Sequence, residues 1–230
     1  MDTDVKDTRA NSRSAGAMSF PLLLVAMCLL GTLAGAAKAS LFSTYQPDNF
    51  NRAARRLPAD MRRVLVLPVT SAPSYEQTES TGLLYDILVE ELSKTKKFEV
   101  IRLTPAELKA HTGKGAWQAE DALPATLLDS LGKDFACNGV IFAHLTAYQC
   151  QAPLAIGWRL KLVDARDSTI IWSVDEVFDA GRPDVVAGVK IFDRHEQKSD
   201  TDDDHWLTLH SPRRFGRYAA ASVLRLLPVR

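Results

Sequence analysis

Gly139-Val-Ile-Phe-Ala-His-Leu-Thr-Ala-Tyr148, Ala155-Ile-Gly-Trp-Arg-Leu-Lys-Leu-Val-Asp164 and Ser168-Thr-Ile-Ile-Trp-Ser-Val-Asp-Glu-Val-Phe178 read as three consecutive strands. The links between them, Gln149 to Pro153 and Ala165 to Asp167, are long enough only for hairpins, so the three strands form an antiparallel meander. In the middle strand Trp158, Leu160 and Leu162 alternate with Arg159 and Lys161, which turns one face to a core and the other to water.

Toward the amino terminus the pattern changes. Val64-Leu-Val-Leu-Pro-Val69 is a short apolar run suited to a strand buried on both faces. Leu83, Leu84, Ile87, Leu88 and Leu92 then recur at helical spacing behind Ser80 and Thr81, the expected caps. Phe98-Glu-Val-Ile-Arg-Leu103 follows as a strand, and strand, helix and strand of these lengths predict a right-handed parallel crossover. Thr104-Pro-Ala-Glu107 opens a short helix with Pro at its first position and a capping-box Glu. Ala110 to Glu120 reads as a surface loop, and Pro124 to Lys133 as a helix that Gly132 helps to end. The expected fold class is therefore α/β (α+β): a mixed sheet with an N-terminal βαβ unit, a C-terminal antiparallel meander and helices packed on the sheet.

Beyond the meander, Pro183 to about Glu196 reads as helical and is followed by an acidic loop. Ser211 and Pro212 start a last helix that runs to Leu227 and stops at Pro228. Phe215, Ala219, Ser222, Val223 and Leu226 form its inner face, and Arg214, Arg217 and Arg225 line another, a row that suits lipid head groups, an acidic partner or plain solvent.

The first 39 residues are a separate segment. Ser14 to Ala37 is 24 residues without a charge, and it contains the apolar run Phe20-Pro-Leu-Leu-Leu-Val-Ala-Met-Cys-Leu-Leu30. Ala37 and Ala39 offer an A-x-A site ahead of Ser40, as in a signal peptide cleaved after Ala39. The run also meets the length of about 20 residues that an uncleaved single-pass helix needs. Two start sites stand, Met1 and Met18, because Asp2, Asp4 and Asp7 are foreign to the basic beginning of a signal. Residues 40–62 read as a basic linker: from Asn51 to Arg63, five arginines (Arg52, Arg55, Arg56, Arg62, Arg63) face Asp60 alone, and such a tether can lie against anionic head groups or in solvent. Residues 63–228 are assigned to a single α/β domain.

Composition narrows the function. The 230 residues carry 28 Lys plus Arg and 28 Asp plus Glu, with 46% hydrophobic residues, so the chain is globular and has no overall charge to draw it to nucleic acid. Without residues 1–39 it keeps 24 bases, 25 acids and two cysteines, Cys137 and Cys150. A single strand between these cysteines would hold their sulfurs some 40 Å apart at about 3.3 Å per residue, beyond disulfide reach. No G-x-S-x-G, H-E-x-x-H, Walker or G-x-G-x-x-G sequence is present. His195, His205 and His210 gather with Asp200, Asp202, Asp203 and Asp204 in sixteen residues, which raises the alternative of a metal-dependent hydrolase using that acidic loop. The spacing matches no ligand grammar, since His205 and Ser211 stand where a calcium loop of the EF-hand type needs Gly and Glu, so a solvated loop and no bound metal are expected.

The order of these elements resembles a group of bacterial envelope lipoproteins that includes CsgG, LpoB and the TolB amino-terminal domain. Arg63-Val-Leu-Val-Leu-Pro-Val, Phe98-Glu-Val-Ile, Cys137 to Tyr148 and the hairpin from Leu160 to Ser173 carry the resemblance, its most specific piece being Asp164 followed eight residues later by Trp172. The resemblance implies an α/β domain, exported in a Gram-negative-type bacterium, that binds other envelope components and performs no chemistry. Two departures stand out. Cys28 follows Met27 and precedes more apolar chain, unlike a lipidated cysteine at a signal's end, and no long amphipathic hairpins for a pore are present. The expected function is that of a non-enzymatic, cofactor-free binding or assembly adaptor at the periplasmic face of a membrane. Its partner is an envelope protein, with the membrane surface and a second copy of the chain as further candidates. Tyr75, Trp117 and Trp206 are candidate aromatic anchors that equally fit core positions, and Arg52, Arg55, Arg56, Arg214, Arg217 and Arg225 are candidate membrane-proximal bases.

Overall fold

Seven strands make one mixed sheet in the computed structural model, which describes residues 44–72, 78–197 and 202–230. The strands are β1 (Phe50–Arg52), β2 (Arg63–Val66), β3 (Thr70–Ser71), β4 (Glu99–Arg102), β5 (Gly139–Gln149), β6 (Ala155–Asp164) and β7 (Ile170–Asp179). Their order is β1-β7-β6-β5-β2-β4, with β3 alongside β5. β2 runs parallel to both β4 and β5, whereas β5, β6 and β7 form the antiparallel meander. The helices are α1 (Thr78–Lys94), α2 (Pro105–Thr112), α3 (Leu127–Asp134), α4 (Pro183–Gln197), α5 (Asp202–His210) and α6 (Pro212–Leu224).

The apolar run of β2 is buried on both sides, as its composition predicts. Val64 and Val66 join a large core with α1, α4 and α6, centred on Trp158, Trp172, Phe178, Phe215 and Tyr218. Leu65 and Leu67 face the other way, onto a smaller core with α2 and α3. The Tyr85 hydroxyl of α1 accepts from the Leu103 N–H at 2.9 Å and shares its proton between the Val66 and Leu103 carbonyls, each 2.8 Å away, locking the crossover to the ends of β2 and β4. The capping box of α2 is formed, with Thr104 N–H donating to Glu107 at 2.8 Å and Glu107 N–H to the Thr104 hydroxyl at 3.2 Å.

Several expectations are corrected. α1 begins at Thr78, so Ser80 and Thr81 lie inside the helix and do not cap it. α3 begins at Leu127 because Pro124 to Leu127 is a turn closed by the Leu127 N–H on the Pro124 carbonyl at 2.9 Å. α6 ends at Leu224, after which tighter turns carry the chain through Leu227. The acidic stretch before Ser211 is helical from Asp202 on, since acids in a first turn complement the helix dipole and Thr208 and Leu209 turn inward.

The linker reading also changes. Residues from Thr44 onward belong to the compact unit and wrap one edge of the sheet as a strap. β1 pairs antiparallel with β7 through Phe50 opposite Val174 and Arg52 opposite Trp172. Leu57 and Met61, spaced among the arginines, are buried in the large core. At the other end the chain stays bound beyond residue 228, with the Val229 N–H on the Arg55 carbonyl at 3.1 Å and the Leu57 N–H on the Val229 carbonyl at 2.8 Å.

The Asp164 to Trp172 pattern has a structural cause. Trp172 fills the core, and the buried Asp164 carboxylate accepts from the Arg166 N–H at 2.9 Å and from its guanidinium at 2.6 and 3.0 Å, closing the β6–β7 turn. Arg166 extends to Asp60 on the strap. These hydrogen bonds hold the Asp164 carboxyl below the usual carboxylate range. A folded-state pKa below the unfolded value adds stability that is present at neutral pH and is lost as pH falls through the lowered value. Asp164→Asn is expected to cost about 2 kcal/mol at pH 7, with the gap to wild type closing at an acid pH below the usual carboxylate range. Thermal melts at both pH values check this, and a gap independent of pH contradicts it.

Residues 1–43, with the stretch read as an export signal or anchor, Cys28 and Met18, lie outside the described residues, as does Tyr75. Among the described residues no helix is long and apolar enough to cross a membrane. Cys137 is buried and Cys150 exposed, one beyond each end of β5, and both are free thiols.

Candidate functional site

The feature that the fold assembles from the most distant parts of the chain is a collar of cations around the carboxy-terminal tail. α6 ends with carbonyls that its own turns leave open, and cations are favoured at such an end. Arg52 Nε donates to the Leu226 carbonyl at 2.6 Å, and Lys97 Nζ donates to the Leu227 and Pro228 carbonyls at 2.8 and 3.0 Å. The Arg230 guanidinium reaches back to the carbonyls of Lys97 and Met61. Arg55 and Arg56 flank Val229 along the backbone, and Arg225 sits at the end of α6 with a guanidinium nitrogen 3.1 Å from the Ser222 hydroxyl. Lys96 and Arg62 complete the ring beside the paired starts of β2 and β4.

None of these cations has a side-chain carboxylate within 4.0 Å among the described residues. The acids nearest in sequence are engaged elsewhere, Asp60 with Arg166 and Glu99 with Arg63 at 3.2 Å. Burial, and next the positive charge of Arg52, hold the Lys97 ammonium below the usual lysine range. Lys96 adopts φ 54°, a left-handed conformation that favours glycine, yet the chain carries a lysine there, between Lys94 and Lys97.

A trough on the helical layer opens onto the collar. One hollow of about 440 Å³ lies between Lys94, Lys97, Ile191, Phe192, Leu224 and Arg225, with the buried Glu91, paired to Lys94 at 2.7 Å, also in its lining. A second of about 380 Å³ lies between Tyr45, Phe50, Gly188, Tyr218 and Leu226, and the two share Ile191 and Arg225. A separate polar crevice of about 500 Å³ sits past the end of β2, where the chain has passed to β4 on one side and β5 on the other, but its Lys114 is neutralised by Asp121 at 2.8 Å. Beside it His144 lies 2.8 Å from the Thr70 hydroxyl, and burial, followed by Arg159, lowers its pKa, consistent with a packing role.

The structure brings four of the six candidate bases, Arg52, Arg55, Arg56 and Arg225, into the collar. The other two lie elsewhere on α6: Arg217 pairs with the buried Glu91 at 3.1 Å, and Arg214 is half-buried. Lys96, Lys97 and Arg230 escaped the sequence reading, because only the parallel pairing of β2 with β4 carries the Lys94-Thr-Lys-Lys97 turn to the tail. Trp117 is half-buried on the smaller core, its indole N–H donating to Thr112 at 3.0 Å. Trp206 is 57% exposed and stacks on His210 at 4.2 Å between ring centroids. His195 lies at the exposed end of α4, and among the described residues no three His, Cys, Asp or Glu side chains are grouped as metal ligands.

No family model and no curated protein matches the chain. Among solved structures it is similar to the PelC dodecamer from Paraburkholderia phytofirmans, at 13% identity and TM-score 0.44 over 81% of this chain and 97% of that one. It is also similar to the LpoB C-terminal domain from Escherichia coli, at 17% identity and TM-score 0.33 over 51% and 82%. A third likeness is TolB from Acinetobacter baumannii, at 12% identity and TM-score 0.31 over 65% and 31%.

Proposed function

We propose that this chain is a non-enzymatic adaptor of the bacterial envelope, exported or held at a membrane by residues 1–39, whose domain faces the periplasm and binds or assembles other envelope components. The observation that carries the reading is the collar: on a chain of net charge zero, cations from the strap, the α1–β4 turn and the tail converge without acids among them. Such separation of charge creates a local field that a balanced surface lacks, and it serves recognition more than it serves the fold. The uncharged run from Ser14 to Ala37 and the resemblance to envelope lipoproteins point the same way.

The full chain expressed in a Gram-negative host tests this. Protease added to spheroplasts is expected to digest the domain, and in-cell cross-linking is expected to capture a defined envelope component. That capture is expected to fall at least threefold in the Arg55→Glu, Arg56→Glu variant while the melting temperature holds. A domain protected from external protease, as a cytoplasmic one is, overturns the reading.

A further inference from the structure

We propose that the collar is a docking surface for an anionic phospholipid bilayer, which lays the strap and the carboxy-terminal tail of the domain against lipid head groups. The inference rests on the envelope reading above and names one partner for the surface identified there.

Three observations favour a lipid surface over a single anionic residue of a protein. First, the cations are spread and exposed: Arg55, Arg56, Arg62, Lys96, Arg225 and Arg230 all stand in solvent, on three separate stretches of chain, the strap, the α1–β4 turn and the tail. A spread array suits many head groups at once, each Lys or Arg near an anionic surface contributing about 1 kcal/mol. Second, apolar side chains stand among them. Val229 is 56% exposed between Arg56 and Arg230, and Phe50 is 37% exposed with the Arg52 guanidinium 4.7 Å above its ring. Apolar groups interleaved with cations are what an interfacial surface places at the boundary between head group and acyl chain. Third, the exposed Lys96, next in the chain to Lys97 of the collar, holds a left-handed backbone that glycine would adopt without strain.

The test uses the full chain, limiting lipid and two kinds of vesicle, phosphatidylglycerol with phosphatidylethanolamine against phosphatidylcholine alone. The apolar run from Phe20 to Leu30 partitions into both, so the readout is the ratio of binding to anionic over neutral vesicles. Wild type is expected to favour anionic vesicles roughly tenfold or more in low salt, and to lose most of that preference in 0.5 M salt, where the screening length falls to about 4 Å. Arg55→Glu with Arg56→Glu, or Arg225→Glu alone, is expected to lower the ratio at least fivefold.

The control carries the same change in net charge as the double variant on the opposite face of the sheet, Lys109→Glu with Lys133→Glu on α2 and α3, and is expected to keep the ratio within twofold. An equal fall in control and collar variants shows a net-charge effect and overturns the inference. So does a wild-type ratio near one, whether or not polyglutamate binds the chain; polyglutamate binding without lipid preference assigns the collar to an acidic protein. Failure of lipid preference with the domain still open to external protease sinks this inference alone, whereas a protected cytoplasmic domain sinks the envelope reading itself.

Discussion

Replacing Glu176 by alanine is expected to lower the melting temperature by roughly 7–14 °C and to release the strap that carries half of the collar. Glu176 is 6% exposed, and its carboxylate accepts from the N–H groups of Asp48 and Asn49, each at 2.6 Å, and from the Tyr45 hydroxyl. Burial raises the Tyr45 pKa, and the hydrogen bond to Glu176 raises it further, so the phenol stays a donor throughout the accessible pH range. The Tyr45 ring meets Phe178 edge-on at 5.2 Å and carries the Arg182 guanidinium 4.8 Å away. Losing the carboxylate leaves two backbone donors unpaired against the sheet edge and the Tyr45 hydroxyl with only the Val177 carbonyl, 3.3 Å away, a cost of about 3.5 kcal/mol, and each kcal/mol is about 2–4 °C for a unit of this size.

Trypsin cleavage at Arg52, Arg55 and Arg56 is expected to quicken at least tenfold in the same variant, because local opening of β1 exposes them. Unchanged cleavage together with a fall below about 2 °C would show that the strap is held by β1 pairing alone. Glu176→Gln keeps an acceptor and is expected to fall between the two.

Gly157→Ala is expected to cost about 3 kcal/mol, or roughly 6–12 °C. Opposite Gly157 the register of β5 shifts between Leu145 and Ala147, so Thr146 is the extra residue of a bulge. A Cβ at position 157 would fall on the Thr146 hydroxyl, 2.8 Å from the Ala147 N and 3.1 Å from the Ala147 Cβ. A side chain can rotate away, but the Ala147 backbone is held by the β5–β6 ladder and cannot. Thr146→Ala is therefore expected to rescue Gly157→Ala only in part. A thermal melt of each variant decides, and a melting temperature within 2 °C of wild type for Gly157→Ala would mean that the bulge yields at little cost.

The elements that were legible in the chain are those whose signal is local. Alternation in β6, the double-sided apolar run of β2 and the stripe of α1 each follow from which side chains must leave water, and those periods do not depend on what lies opposite. The capping box at Thr104 is equally local. The strap misled because arginine composition was read in place of period: Leu57 and Met61, four residues apart, are the core contacts, and the arginines flanking them, Arg55, Arg56 and Arg62, only need solvent on one side. The acidic stretch misled in the same way, since a run of aspartates marks a helix start as readily as a loop.

By itself, then, the sequence determined the class of the fold, its parallel crossover and its meander, because burial acts on neighbours within a few residues. The collar was decided by tertiary structure alone. Arg52, Lys97, Arg225 and Arg230 span 179 positions of chain, and only the β1–β7 and β2–β4 pairings bring them to one helix end. Charge separation on a neutral chain is a property of the folded surface, since Coulomb energies depend on distance in space and are indifferent to distance along the backbone.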